Sequence, residues 1–228
     1  MPGPRFTSES LRFLRALKRN NRREWFNAHR DKYEAHVRAP MTAIILQLAE
    51  DFRQFGPEFV VSPKTSMYRI YRDIRFSENK APYKTHVAAI FPTRGLPKHE
   101  GAGLYFHVSV EDVWVGGGMY APSAVELHAV REHIAANSRR LRTLVESPAF
   151  RRDVGALDGE RLQRVPRGFP KGHEAAEYLK FRQFLAGRTF EAAFATSPKF
   201  YAGLLGIFKR VAPIIRFLNE PLTKTSKG

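Results

Sequence analysis

Apolar residues recur at helical spacing near both ends of the chain. In the N-terminal part, the clearest apolar stripe follows Pro40, a residue that suits the first turn of a helix. Its members are Met41, Ile44, Ile45, Leu48 and Phe52. The members of a second stripe, near the C-terminus, are Phe200, Leu204, Phe208, Val211 and Ile215. These spacings predict one amphipathic helix in each region.

Weaker patterns predict further helices. The first of these helices is capped by Ser8 or Ser10 and carries Leu11, Leu14 and Leu17. The second carries, on one face, Trp25, His29, Tyr33 and Val37. Ser123 and Glu126 form a capping-box pattern, which predicts a helix that runs to about Glu146. A helix of about ten residues is predicted for AAEYLKFRQF, residues 175–184.

The middle of the chain changes to a period of two. SMYRIYRDIRF, residues 66–76, alternates in a way that predicts a strand. Its predicted buried face holds Ile70, Ile74 and Phe76, and its other face holds Arg69, Tyr71, Asp73 and Arg75. Arg72 falls on the apolar face, where a cation needs a partner. We therefore expect this strand to be held in a defined arrangement in which Arg72 has a partner, and not to be a simple solvated surface.

Three more segments read as short strands: THVAAIFP, LYFHVSV and VWVGGGMY. Glu111 and Asp112 favour a turn that joins the last two as a hairpin. The three glycines Gly116–Gly118 fit either a bulge or the close approach of a ligand, and we favour the bulge. Short loops favour an antiparallel sheet. The prediction is a single α+β domain over residues 6–222, with helices before and after the sheet and a disordered tail at residues 223–228.

Composition narrows the class of protein. The chain has 228 residues, 43% of them hydrophobic, which is enough for a packed core. No apolar run approaches the roughly 20 residues that span a bilayer, and the N-terminus lacks the apolar segment of a signal peptide. Cysteine is absent, which excludes disulfides and thiolate chemistry. We therefore expect a cytoplasmic protein with no membrane partner.

The chain is strongly basic, with 38 Lys and Arg against 22 Asp and Glu, a formal net charge of +16. Such a charge favours phosphates, nucleic acid or acidic surfaces. The cations are spread along the whole chain, so a generally basic surface explains them equally well. We expect only weak, non-specific binding to nucleic acid, because no motif for base readout is present. The sequence makes no prediction of oligomeric state.

Motifs for metal or nucleophilic chemistry are lacking. His128, Glu132 and His133 resemble a zinc signature, but neither established spacing is present. His128 and Glu132 are one helical turn apart and are predicted to form a local pair. No G-x-S-x-G pattern occurs, and the glycine run matches no nucleotide-binding motif. We predict no bound metal and no cofactor.

The strongest feature is RIYRDIRFSENKAPYKTH, residues 69–86, called here the basic segment. Its proposed ligand-binding residues are Arg69, Arg72, Arg75, Ser77, Lys80, Tyr83 and Lys84. Arginine and lysine side chains suit phosphate and carboxylate oxygens. The prediction is that Arg69, Asp73 and Arg75 converge with Lys80 or Lys84 around one pocket, and that the segment binds an anionic, phosphorylated ligand. The residues do not decide whether the protein is also an enzyme.

Three hypotheses stay open for the basic segment. In a catalytic version of the anion site, Asp73 is the general base, although neighbouring arginines lower its pKa and weaken it in that role. In a second hypothesis, Tyr71, Phe76 and Tyr83 stack bases in a nucleic-acid module without catalysis. In a third, the segment is an internal ion-pair network that serves structure or a partner protein.

Four segments together resemble a family known as domain of unknown function 2461. They are NNRREWFNAHRDKYE, YRIYRDIRFSENKAPYKTH, GLYFHV and GGGMYAPS. The resemblance covers nearly the whole chain, roughly residues 6 to 222. The family-motif positions that it marks are Asn21, Trp25, Phe26, Arg72, Asp73, Arg75, Phe76, Ser77, Lys80, Pro82, Tyr83, Lys84, Gly118 and Tyr120. The resemblance supports the basic segment as a site and implies no particular reaction.

Overall fold

The computed structural model describes residues 3–75 and 77–225. Helices precede the sheet in the chain. They are α1 (Ser8–Arg19), α2 (Arg23–Ala28), α3 (Arg30–Tyr33), α4 (Ala39–Phe55) and α5 (Pro63–Ser66), with a π-helical turn at Glu34–Arg38. The later helices are α6 (Ala124–Ala136), α7 (Ser138–Val145), α8 (Pro148–Asp153), α9 (Ala176–Leu179) and α10 (Phe200–Thr225), with a 3-10 turn at Ala192–Thr196.

Within the described residues, four strands form one antiparallel sheet in the order β1-β2-β3-β4. Their bounds are β1 (Val87–Pro92), β2 (Gly103–Val108), β3 (Asp112–Met119) and β4 (Phe184–Glu191). Strand order follows chain order; the connection from β2 to β3 is short, whereas α6 to α9 lie between β3 and β4 in the chain. The predicted fold class, an α+β single domain with helices before and after the sheet in sequence, is confirmed. The bounds of residues 6–222 stay a prediction.

The chain divides into two compact units. The first unit comprises Met1–Ile90, Tyr105–Val115 and Thr189–Gly206. The predicted stripe of α4 is its core, because all five residues are between 0% and 2% exposed. An aromatic cluster lies beside it, in which the Phe26 ring is 5.3 Å from that of Tyr33 and 4.1 Å from that of Tyr83. This cluster holds the basic segment against α2.

The second unit comprises Phe91–Leu104, Gly116–Arg188 and Ile207–Gly228. Asn219 of α10 is buried there and binds a loop residue through its side-chain amide. Its Nδ2 donates to the Ala102 carbonyl at 2.9 Å and to Thr93 Oγ1 at 2.8 Å. The Ala102 N–H donates to Asn219 Oδ1 at 2.7 Å. The amide therefore meets the polar groups of the β1–β2 connection, which would otherwise be unpaired.

The predicted strand at residues 66–76 is wrong. The backbone there is extended and pairs with the chain leading into β1 through single bonds, from Tyr68 N to Ala88 O and from Lys84 N to Ile70 O, at 2.9 and 2.8 Å. From the first bond to the second, the chain moves two residues along one segment, from 68 to 70, and four along the other, from 88 to 84. The second segment therefore has two extra residues, and at 85–86 it bends out of the ladder. Because of this break, only isolated bridges form.

Three helix predictions need correction. The helix predicted from residue 123 to about 146 divides at Asn137, whose Nδ2 donates to the His133 carbonyl at 2.9 Å. The helix expected to carry Trp25 and Val37 on one face is interrupted after α2 and again by the π-helical turn. The ten-residue helix at 175–184 is wrong, because α9 is one turn long and β4 begins at Phe184.

The glycine run lies inside β3 and serves the packing of strands. Gly118 has φ +144°, a backbone conformation that other residues rarely adopt. A Cβ atom on Gly118 would lie 2.0 Å from the carbonyl oxygen of Phe184 in β4. A Cβ atom on Gly117 would lie 2.6 Å from the carbonyl oxygen of Gly103 in β2. Neighbouring backbone, and not a ligand, makes the close approach at these glycines, and the bulge favoured from the sequence stays a prediction.

The C-terminal helix extends further than expected. Helix α10 ends at Thr225 and so includes the first three residues of the predicted disordered tail. Residues 226–228 lie outside the described part of the chain. The predicted apolar stripe of α10 is fully buried at each of its five positions.

Candidate functional site

Asn21 fixes the basic segment to the start of α2. Its Nδ2 donates to the Tyr83 carbonyl at 2.9 Å, and the Tyr83 N–H donates to Asn21 Oδ1 at 3.0 Å. The side-chain amide thus pairs with one residue as a neighbouring strand would. The contact spans 62 residues of sequence. It determines which part of the basic segment faces α2.

Tyr83 is a core residue. Its side chain is 2% exposed, and its ring stacks on Phe26 with centroids 4.1 Å apart and planes inclined by 22°. Burial raises the pKa of Tyr83, and the neighbouring Tyr71 raises it further. The ring face is therefore covered by protein. The base-stacking role considered for Tyr83 would require this ring to leave the core.

A cleft of about 290 Å³ lies beside this contact, inside the first unit. Its lining residues are Arg23, Asn27, Tyr71, Arg72, Ile74, Pro82 and Tyr83. Helix α2 contributes the first two, and the basic segment contributes the others. Tyr71 is 43% exposed at the cleft, and its hydroxyl accepts a hydrogen bond from Arg30 Nη2 at 3.0 Å. The cleft therefore has aromatic and aliphatic walls with cationic groups among them.

Arg72 is the half-buried cation of the cleft. Its Nη1 donates to the Ala81 carbonyl at 3.3 Å, and its Nη2 donates to Ser77 Oγ at 3.3 Å. Its backbone N–H donates to the Pro82 carbonyl at 2.9 Å. Arg72 therefore has the partners expected from the sequence, and both are neutral oxygen atoms. These acceptors fix the guanidinium without cancelling its charge.

Asp73 and Arg75 form a local pair on the surface. Arg75 Nε and Nη2 donate to the two Asp73 carboxylate oxygens at 3.0 and 2.7 Å. The Arg75 backbone N–H donates to the same carboxylate at 3.2 Å. These bonds from Arg75 lower the pKa of Asp73 to about 2. Asp73 is therefore an ionised, engaged carboxylate, which makes it a poor proton acceptor near neutral pH.

The two lysines of the predicted site bind main-chain oxygens of the basic segment. Lys80 Nζ donates to the Ile74 carbonyl at 3.1 Å, and Lys84 Nζ donates to the Arg69 carbonyl at 3.1 Å. Lys84 also lies over the Tyr68 ring, 4.9 Å from its centroid. Both contacts stabilise the irregular backbone that replaces the predicted strand.

The predicted site residues therefore separate into two sets. Arg72 and Tyr83 line the cleft. The predicted residues that do not line it are Arg69, Asp73, Arg75, Ser77, Lys80 and Lys84. Sequence reasoning missed Arg23 and Asn27 as site residues. Their spacing of four residues within the segment NNRREWFN places both on one helical face, which was the available clue.

The electrostatic character of the cleft follows from its lining. No carboxylate is among the residues that line it. Within the described part of the chain, Arg23 has no hydrogen-bond or ion-pair partner for its guanidinium, and Arg72 has no carboxylate partner. Two positive charges that have no ion-pair partner among the described residues therefore border one small cavity.

The described residues also bear on a metal site and on a membrane span. Among the described residues, no three His, Cys, Asp or Glu side chains are grouped so as to hold a metal ion. His128 and Glu132 form the predicted local pair, with Nε2 and Oε1 3.4 Å apart. No helix within residues 3–75 and 77–225 has the length and apolar character needed to cross a membrane.

The fold and the cleft together define an α+β protein with an arginine-lined cavity beside α2. A family model described as conserved hypothetical protein (DUF2461) matches residues 9–217. The match covers nearly the whole chain, so the protein belongs to this family, and the resemblance noted in the sequence is confirmed. No match was found among curated proteins.

Proposed function

We propose that the protein binds a small anionic ligand, with a phosphate group as the preferred anion, in the cleft between α2 and the basic segment. One observation carries this proposal. Arg23 and Arg72 line the same cavity, and no carboxylate lines it. Guanidinium groups match phosphate oxygens in geometry and charge.

The size of the cleft limits the ligand. A volume of about 290 Å³ lies at the lower end of the range for small-molecule sites, which begins at roughly 300 Å³. The ligand is therefore of the size of a small phosphorylated metabolite. The walls formed by Ile74 and Pro82 suit its carbon atoms, and the Asn27 amide offers both a donor and an acceptor.

The two arginines have different parts in this proposal. Arg72 is held in place by Ala81 and Ser77 before any ligand arrives, so little side-chain entropy is lost when an anion binds. Arg23 is exposed, so its guanidinium is accessible to the anion from solvent. Binding is the proposed activity, and Asp73, engaged by Arg75 outside the cleft lining, is assigned no catalytic role in it.

Replacement of Arg23 tests the proposal without disturbing the fold. Arg22 is the matched control, because it is adjacent, equally basic and exposed, and does not line the cleft. The measurement is calorimetric titration of wild type, Arg23→Ala and Arg22→Ala with inorganic phosphate and with glycerol phosphate. We expect Arg23→Ala to weaken binding about tenfold, or ~1.4 kcal/mol, and Arg22→Ala to change it little. Equal losses in both variants, or no binding in wild type, would contradict the site.

A second candidate function is favoured by the lysine contacts. Lys80 and Lys84 both donate to carbonyls of the basic segment itself, as expected if the segment stabilises its own loop for a structural role. In that case Lys80→Ala and Lys84→Ala each lower the free energy of unfolding by about 1–3 kcal/mol. Urea unfolding of both variants measures this. Unchanged stability in both variants would contradict this structural role.

The proposal includes a cytoplasmic protein, as expected from the absence of cysteine. It also includes weak, non-specific nucleic-acid binding from the net charge of +16. Such binding falls steeply as salt rises from about 50 to 200 mM. Fluorescence anisotropy with a single-stranded oligonucleotide measures that dependence, and sub-micromolar affinity at physiological salt would contradict it.

A further inference from the structure

A second group of polar and aromatic side chains lies on one face of the β2–β3 hairpin, within the first unit. Tyr105 and His107 alternate along β2 with Phe106, which is fully buried. On β3, Trp114 lies with its ring 5.9 Å from that of Tyr105, and Asp112 lies beside His107. These side chains therefore share the less buried face of the sheet.

Three of these side chains form a hydrogen-bonded relay. His107 Nε2 is 3.2 Å from Asp112 Oδ1, and His107 Nδ1 is 3.3 Å from the Tyr105 hydroxyl oxygen. A carboxylate only accepts hydrogen bonds, so Nε2 of the neutral imidazole donates to Asp112. Nδ1 is then the acceptor, and the Tyr105 hydroxyl donates to it. The relay leads from a phenol through an imidazole to a carboxylate.

Ser109 holds the carboxylate end of the relay. Its hydroxyl donates to Asp112 Oδ1 at 2.7 Å and accepts the Asp112 backbone N–H at 2.9 Å. Burial raises the pKa of Asp112, but hydrogen bonds from Ser109 and His107 outweigh burial and leave that pKa below its ordinary value. The carboxylate is therefore ionised at neutral pH and orients the His107 ring.

We propose that Tyr105 is a nucleophile activated by His107 and Asp112, in a reactive site separate from the arginine-lined cleft. His107 takes the phenol proton while Tyr105 Oη attacks, and Asp112 stabilises the imidazolium that forms. All three members of the relay are partly exposed: Tyr105 is half-buried, and 24% of the His107 side chain and 35% of the Asp112 side chain are exposed. Bonds of 3.2–3.3 Å are typical of a catalytic relay without its ligand.

The ligand class for this site is a phosphate ester. Lys84 Nζ is 4.9 Å from the Tyr68 ring centroid, and that ring is 6.3 Å from the Tyr105 ring, so a cation lies one aromatic ring away from the relay. In the transfer step, a bond forms between Tyr105 Oη and phosphorus, and the bond from phosphorus to the ester oxygen breaks. The leaving oxygen keeps the bonding pair and receives from His107 the proton that Tyr105 gave up. The products are a phosphotyrosyl protein and a free alcohol.

An alkyl fluorophosphonate tests the nucleophile directly, because it presents a phosphorus centre from which fluoride leaves. Peptide mass spectrometry of the full chain gives the rate of modification at each tyrosine. We expect Tyr105 to react faster than Tyr120, which is 76% exposed and serves as the internal control. Equal rates, or no modification of Tyr105, would overturn the proposal, and this comparison requires no variant.

Variants separate activation from structure. We expect His107→Ala and Asp112→Asn each to slow modification of Tyr105 by about 100-fold or more, the usual size of a general-base effect, and to leave Tyr120 unchanged. Imidazole in solution should restore part of the rate in His107→Ala, because it fits the vacated space and accepts the proton. Circular dichroism verifies the fold of each variant. A rate loss that imidazole does not restore in a folded protein would contradict the base role.

Discussion

The two sides of the basic segment use the same residue type in opposite ways. Arg72, on the side that faces α2, is half-buried and donates to the Ala81 carbonyl and the Ser77 hydroxyl. Arg75, three residues further on, is exposed and donates to both oxygens of Asp73. Only the second arginine has its charge neutralised. The identity of the partner, rather than the number of cations, therefore decides where positive charge remains for a ligand.

The same comparison applies to stability. The inner side of the segment includes Tyr83 and the Asn21 contact, which are packed or paired within the first unit. The outer side consists of local bonds between exposed groups, and such bonds contribute little to the free energy of unfolding. We therefore expect substitutions on the two sides to differ in size, in the order given below.

Tyrosine substitutions should give the largest difference, here between a ring in the core and a ring at the cleft. Tyr83→Ala removes a ring that is 2% exposed and stacked on Phe26, and we expect it to lower the free energy of unfolding by about 3–5 kcal/mol. Tyr71→Ala, at a position 43% exposed, should lower it by less than about 1 kcal/mol. Urea unfolding monitored by circular dichroism measures both. Similar losses for the two variants would remove the distinction between core and cleft rings.

Asparagine substitutions come next. Asn21→Ala leaves the N–H and carbonyl of Tyr83 without their side-chain partner, and we expect a loss of about 1–3 kcal/mol. Asn79→Ala is the control on the outer side, because its Oδ1 accepts only an exposed bond from the Ala81 N–H. That change should stay within about 0.5 kcal/mol. A smaller effect for Asn21→Ala than for Asn79→Ala would contradict the role of Asn21 in fixing the segment.

Substitutions of Arg72 and Arg75 should differ less in their effect on stability and most clearly in their effect on phosphate binding. Arg72→Met keeps the aliphatic stem and removes two hydrogen bonds, so we expect a loss of about 1–2 kcal/mol together with weaker phosphate binding. Arg75→Met should change stability by less than about 0.5 kcal/mol and leave phosphate binding unchanged. Unfolding and calorimetric titration of both variants test this. Weaker binding in Arg75→Met alone would move the site to the outer side.

The smallest expected effect is on pH dependence. The bonds from Arg75 lower the pKa of Asp73 to about 2 in the folded protein, against 3.8 ordinarily. A lowered folded-state pKa stabilises the fold above the ordinary pKa, and this contribution is lost as pH falls from about 3.8 through about 2. A carboxylate NMR titration should place the Asp73 midpoint near 2, and that midpoint should rise in Arg75→Ala. An unchanged midpoint would show that Arg75 is not the cause.

Part of this arrangement was predictable from sequence. The alternation along residues 69–75 correctly predicts which side chains face outward, since Arg69, Tyr71, Asp73 and Arg75 are all exposed. Ile70 is buried at 6%, Ile74 is half-buried, and the expected burial of Phe76 lies outside the described residues. An alternation of apolar and polar residues predicts only that the backbone is locally extended. A segment joins a sheet only if its backbone pairs continuously with a neighbouring strand. The two-residue break at 85–86 prevents continuous pairing here, and no sequence pattern predicts that break.

The cleft was less predictable than the segment. Arg72 shares it with Arg23, which lies almost 50 positions earlier in the chain. Their proximity depends on the long-range contact from Asn21 to Tyr83, and one sequence does not reveal a contact made by a side-chain amide. Strand β4 was missed for a similar reason, because Gly187 and Arg188 weaken its apolar alternation and the preceding residues favour a helix. Its pairing beside Gly118 of β3 places it in the sheet.

The buried amide of Asn219 also makes one contact of the second unit depend on a single nitrogen atom. Its nitrogen faces two acceptors, Ala102 O and Thr93 Oγ1, and its oxygen faces a donor, so only one orientation satisfies all three. Hydrolysis of the amide to an aspartate would replace that nitrogen with an oxygen and place it against the Ala102 carbonyl. Asn219 is only 3% exposed within α10, which keeps water from the amide while the helix stays closed. Such a change would therefore remove both hydrogen bonds that the nitrogen donates to the β1–β2 connection.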